Sequence, residues 1–139
     1  MERTFLLLGA AFGLVGVLLG AFGSHALRSK LTPERVATFE TGVRYQLWHA
    51  LALFAVVLVE VLRFPSNAPG HQYLMVLDDS GFWPGWLAGW LFVAGIVLFS
   101  GSLYVLSLTG KRGWGAVTPF GGSCLVLGWA ALLFAIVLK

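Results

Sequence analysis

Four apolar runs alternate with three polar connections along the chain, and this alternation sets the rest of the reading. The runs cover residues 5–23, 46–62, 86–108 and 117–138. Each is near the length needed to cross a bilayer core as a helix. The first, FLLLGAAFGLVGVLLGAFG, has no charge between Thr4 and Ser24 and carries glycine at 9, 13, 16, 20 and 23. Residues three and four apart share a helix face, so Gly9, Gly13, Gly16, Gly20 and Gly23 form one stripe. In water each would weaken a helix by roughly 1 kcal/mol relative to alanine. In lipid the stripe reads as a smooth groove for close approach of another helix. The fourth run has a similar stripe, Gly121, Cys124, Gly128, Ala131 and Ala135, and a proline near its first turn, where a missing N–H matters least. The third run has no charge; the second is the shortest and contains Gln46, His49 and Glu60.

The connections differ in character. After the first run, Thr32-Pro33 is a helix start, with threonine as N-cap and proline at the first helical position. Val36, Phe39, Val43 and Leu47 then recur at helical spacing. This predicts an amphipathic helix lying in the membrane interface and bending into the second span near Gly42, with Glu40 and Arg44 paired four residues apart. The second connection, with Pro65, Pro69, Gly70, Asp78, Asp79 and Pro84, is irregular. Its apolar stretch 73–77 is too short to span and is expected at the membrane surface, and Trp83, Trp86 and Trp90 mark the entry of the third span. The last connection is short and holds Lys111 and Arg112, so spans three and four form a hairpin. The predicted fold is all-α: one integral membrane domain over residues 1–139, a four-helix antiparallel transmembrane bundle with an interfacial helix between its first two spans.

Composition strengthens this. The chain is 58% hydrophobic and 11% charged, against about 45–50% and about 25% in soluble domains. Mean hydropathy is +0.86. The net charge of +3 is small, and the basic residues sit between the apolar runs rather than in one patch, which fits membrane topology and lipid headgroups and argues against nucleic acid. Arg28, Lys30, Arg35, Arg44, Lys111 and Arg112 fall on one side, and Arg3, Arg63 and Lys139 on the other. That asymmetry puts the connections 24–45 and 109–116 in the cytoplasm and both termini outside. A cleaved signal peptide is the rival account of the first run; its weak basic start and its length favour a true span. The single cysteine, Cys124, rules out an internal disulfide.

Several motifs carry a resemblance. GAFGSHAL at 20–27 resembles the GAFG(A/S)HAL signature of the YgdD-like family of small bacterial membrane proteins, catalogued as domain of unknown function 423, with eukaryotic transmembrane protein 256 relatives. The match continues through Tyr45-Gln46 with His49, FSGSLY at 99–104, Thr109-Gly110, Thr118-Pro119 with Gly121-Gly122, and Gly128-Trp129. Departures are Ser24 in place of alanine, Trp48 in place of a smaller aromatic residue, and a long connection at 64–85. The resemblance implies a four-span bacterial inner-membrane protein and brings no established activity.

Candidate chemistry concentrates at one end of the second span. His25, Arg44, Tyr45, Gln46 and His49 can be drawn as a polar cluster, since His49 lies four residues after Tyr45 and three after Gln46. Intramembrane polar groups are functional candidates by default. The competing account is interhelical hydrogen bonding that fixes the bundle, and an end-of-helix histidine also suits the helix dipole. Ser100, Ser102 and Tyr104 are expected to bond backbone or neighbouring helices, and Glu60 to snorkel or pair with Arg63. No metal-ligand spacing, nucleophile turn, phosphate loop or dinucleotide fingerprint occurs, so neither catalysis, a metal nor a cofactor is expected. The glycines at 9, 13, 16, 20, 23, 121 and 128 are expected to serve helix packing. The expected role is structural or accessory, through membrane lipids, a second copy or another membrane protein. The alternative is a small transporter or channel using the polar cluster.

Overall fold

The computed structural model describes residues 2–63 and 84–137, all in helices and short turns. Helix α1 (Glu2–Phe22) runs into one turn of π-helix, Gly23–Leu27. Helix α2 (Pro33–Arg63) follows a tight turn in which the Lys30 and Leu31 amides bond the Leu27 carbonyl. Helix α3 (Pro84–Gly95), a π-helical turn (Ile96–Ser100) and helix α4 (Gly101–Thr109) make one rod. A 3₁₀ turn (Arg112–Ala116) leads to helix α5 (Thr118–Val137). Four of these helical rods are long and apolar enough to cross a membrane.

The helix boundaries follow from local chemistry. Thr32 and Pro33 start α2 as the sequence predicts: the Thr32 carbonyl accepts the Val36 amide at 3.0 Å. Gly110 ends α4 with φ of 71°, its amide bonded to the Leu106 carbonyl at 2.8 Å. That left-handed cap is open to glycine and closed to most other residues.

Two expectations are revised. The segment expected as a separate interfacial helix is continuous with the second span, and α2 does not break at Gly42. Gly42 instead admits a neighbour: a Cβ there would meet the Tyr104 ring at 2.8 Å and the Ser100 carbonyl oxygen at 3.3 Å. Glu40 pairs not with Arg44 but with Arg28, at 3.2 Å across the α1–α2 turn. The stretch 73–77, Trp83 and the Arg63 side chain lie outside the described residues.

Contacts order the helices. Along α1 and into its π-helical turn, Gly9, Gly16, Gly20 and Gly23 face Phe54, Leu47, Val43 and Phe39 in turn, so the partner number falls as the glycine number rises. Gly95, Gly121 and Gly128 face Leu125, Phe99 and Phe92 in the same opposed sense between the third rod and α5. Phe5, Leu53, Val56, Phe92, Leu125 and Leu132 form the main core, and Leu27, Phe39 and Val43 a smaller one near the α1–α2 turn. The outer surface is also apolar: Leu7 is 71% exposed, Leu62 72% and Phe120 71%. Large apolar side chains on both the inner and outer faces are what lipid contact requires of a helix bundle.

Candidate functional site

Two buried polar side chains organise the bundle interior, both on α2. Gln46 is 3% exposed and His49 5%. Three residues apart, they lie close on one helix face yet reach different neighbours. The Gln46 amide nitrogen donates to the Phe12 carbonyl of α1 at 2.8 Å, and its amide oxygen accepts from the Tyr104 hydroxyl of α4 at 2.9 Å. One amide thus joins three helices. Gly16 keeps that route open, because a Cβ there would stand 3.4 Å from the Gln46 amide nitrogen. Tyr104 is steadied by Phe39, with ring centroids 4.9 Å apart.

His49 looks the other way. Its Nδ1 lies 2.8 Å from the Tyr45 carbonyl, and the Trp129 indole N–H of α5 donates to its Nε2 at 3.2 Å. A carbonyl can only accept and an indole N–H can only donate, so the two contacts fit the neutral ring carrying its hydrogen on Nδ1. Phe92 packs against both rings, 5.6 Å from His49 and 5.2 Å from Trp129. Tyr45 stacks beside His49 at 6.0 Å and leans on Phe99 at 4.6 Å. The result is an aromatic box closed by a hydrogen bond between α2 and α5.

The five residues of the predicted cluster therefore do not share one pocket. Tyr45 and His49 come together; Gln46 belongs to a separate α1–α2–α4 junction. His25, in the π-helical turn, and Arg44, on α2, are exposed. Of the packing glycines, Gly9, Gly16, Gly20, Gly23, Gly121 and Gly128 each have a neighbour where a Cβ would stand, whereas at Gly13 a Cβ would meet nothing within 4 Å among the described residues.

Other contacts tie the rods together. Ser102 shares a 2.8 Å hydrogen bond with Thr118, linking α4 to the start of α5. Arg35 donates to the Ser107 and Leu108 carbonyls at 2.6 and 2.7 Å, and the Ser107 hydroxyl returns a bond to the Arg35 carbonyl at 2.7 Å. A guanidinium on the free carbonyls at the end of α4 satisfies groups that no helix can satisfy for itself, and it matches the helix dipole. Ser100 is buried in the π-helical turn, and its hydroxyl has no hydrogen-bond partner among the described residues.

Trp129 and Arg35 are the participants that sequence reasoning misses. An indole within a span needs an acceptor, which was a usable signal for Trp129. Arg35 reads from sequence only as a topology charge; its partner lies 72 residues away. Among the described residues, no three His, Cys, Asp or Glu side chains converge as metal ligands would.

The chain is similar in sequence to known membrane proteins along most of its length. Residues 19–122 match the family model described as "Protein of unknown function (DUF423)". The "UPF0382 membrane protein YwdK" of Bacillus subtilis is 40% identical over 136 residues, 97% of either chain. The "UPF0382 membrane protein SERP0230" of Staphylococcus epidermidis is 38% identical over 133 residues, 96% of this chain and 94% of the relative. The "UPF0382 inner membrane protein YgdD" of Escherichia coli is 34% identical over 132 residues, 95% of this chain and 88% of the relative. No solved structure matches.

Proposed function

The chain belongs to the DUF423 family of membrane proteins, and from that premise we propose that it is a non-catalytic accessory protein of the bacterial inner membrane, acting through lipid and membrane-protein contacts. The observation that carries this reading is how the intramembrane polar groups are used. Both hydrogen-bonding ends of Gln46 are engaged by neighbouring helices, and of the two His49 ring nitrogens one is held by the Tyr45 carbonyl of its own helix and the other by Trp129 of α5. Groups committed in this way fix helix positions; they present neither a proton acceptor nor a coordination site to a passing solute.

The architecture we assign is an antiparallel four-span bundle whose second helix overshoots the membrane. At 31 residues α2 is about 46 Å long, well beyond a hydrocarbon core of ~30 Å. Its first turns, with Glu34, Arg35, Glu40 and Arg44, are the part that stands in the interface. The Arg28–Glu40 pair and the Arg35 cap bring the two basic connections to the same end. An excess of basic residues there supports a cytoplasmic position for that end and the opposite side for the termini. The first span, only 17% buried, is the surface we assign to a second copy or another membrane protein.

The test is reconstitution of the full chain and of Gln46→Leu and His49→Phe in liposomes. Each substitution is expected to lower resistance to unfolding by about 0.6–2 kcal/mol. Solute and proton flux through the native protein should equal that of empty vesicles. Flux through the native protein that His49→Phe abolishes would overturn the accessory reading in favour of a transporter or channel.

A further inference from the structure

A chain of hollows follows the third rod, bounded by α2 at both ends and by the start of α5 in the middle. Three adjoining hollows of about 390, 480 and 420 Å³ share lining residues. The first and second meet at Leu106, and the second and third at Phe99 and Gly122. At the interface end the lining is polar, with Arg35, Glu34, Thr38 and Arg112. Deeper it becomes apolar, over Leu103, Phe99 and Gly122, and it ends against Trp48, His49 and Trp129. The floor is smooth because Gly122 and Gly115 carry no side chain: a Cβ there would only touch the Phe99 ring at 3.7 Å and Leu106 at 3.9 Å.

We propose that this groove holds one anionic phospholipid, its phosphate beside Arg112 and Lys111 and one acyl chain lying over Leu106, Phe99 and Gly122 as far as Trp129. Charge complementarity carries the choice of occupant. The Arg112 and Lys111 side chains are exposed and make no hydrogen bond or ion pair with another described residue, whereas Arg28 and Arg35 are already engaged. Glu34 is the single carboxylate lining this end of the groove. Length carries the rest. From Thr118 to Trp129 the α5 wall rises about 17 Å, close to half of a ~30 Å hydrocarbon core and so to the depth of one leaflet. A charged mouth at headgroup level, followed by one leaflet's depth of apolar wall, is the shape of a lipid rather than of a soluble anion.

This rests on the accessory reading above and deepens it; the two fail separately, because solute flux tests the first and lipid retention the second. The experiment is native mass spectrometry of the full chain from mixed micelles containing phosphatidylglycerol or phosphatidylcholine with matched acyl chains. The native protein should retain one phosphatidylglycerol in preference to phosphatidylcholine. Replacing both cations, Lys111→Gln with Arg112→Gln, should reduce that retention about tenfold, the worth of one charge-assisted hydrogen bond. Val126→Trp, at an outward position that does not enter the core, should block the groove and lower retention of both lipids. Equal retention of the two lipids by the native protein, retention unchanged in both variants, or full displacement by inorganic phosphate would overturn the proposal.

Discussion

The two glycine-bearing seams of the bundle look alike in sequence and are built differently. Where α1 meets α2, the missing side chains are faced mostly by the ends of side chains. A Cβ on Gly16 would meet Leu47 Cδ2 at 2.7 Å, and one on Gly23 would meet the Phe39 ring at 2.9 Å. Where the third rod meets α5, Gly121 is faced by backbone: a Cβ there would stand 2.7 Å from the Phe99 Cα and 2.8 Å from the Leu98 carbonyl carbon. A leucine tip can turn to another rotamer, but a helix backbone moves only as a whole. The second seam also has yielding neighbours, a leucine tip at Gly95 and the Phe92 ring at Gly128, but at Gly121 backbone meets backbone, and that one point sets a distance between helix axes. The difference also has a place in the fold. Phe99 is the last residue before Ser100 in the π-helical turn, where the rod departs from α-helical winding. Gly121 lies directly against the irregular part of the neighbouring helix.

The largest effect is expected at this backbone contact. Gly121→Ala forces the two rods apart or unwinds the turn, and it should cost about 3 kcal/mol or more, the upper range for overpacking. Denaturant titration of the purified protein in detergent, followed by loss of helicity, measures it. A change below about 0.5 kcal/mol, the ordinary size of a neutral surface change, would mean that the seams do not differ. Gly16→Ala should fall in between. Leu47 can give way, and alanine gains helix propensity, yet the added methyl presses on the Gln46 amide. A loss of about 1 kcal/mol is expected. The same titration reads it, and a loss equal to that of Gly121→Ala would erase the distinction between movable and fixed neighbours.

How much of this was legible beforehand depends on the kind of contact. The four apolar helices, the Thr32-Pro33 start and the short α4–α5 link follow from local pattern, because bilayer length and capping are properties of contiguous residues. The Gln46 and His49 junctions were half legible. A buried amide and imidazole must find partners, so their importance was readable, but Tyr104 and Trp129 lie 58 and 80 residues away. Drawing His25, Arg44, Tyr45, Gln46 and His49 together failed as geometry because helix rotation decides which faces meet. Rotation depends on packing, which no local spacing reports. The continuity of α2 through Gly42 has the same cause: glycine suggests a bend until the Tyr104 ring is known to occupy the space beside it.

Gly13 gives the finest test, because it is the member of the first stripe that no other described residue packs against. Helical spacing puts it in line with Gly9 and Gly16, yet a Cβ there would meet nothing within 4 Å, and the nearby Leu14 and Val17 are 64% and 63% exposed. Within a single copy, Gly13→Ala should therefore change stability by less than about 0.5 kcal/mol. The larger Gly13→Leu separates two explanations for the glycine. If that face meets only lipid, a leucine adds one more apolar side chain to an apolar surface, and copy number by native mass spectrometry stays as in the native protein. If a second copy packs there, close backbone approach at a small residue is what the contact needs, and the leucine converts the oligomer to single copies without unfolding them. Unchanged copy number with unchanged stability would leave Gly13 with lipid alone and confine the work of the first stripe to the α1–α2 seam.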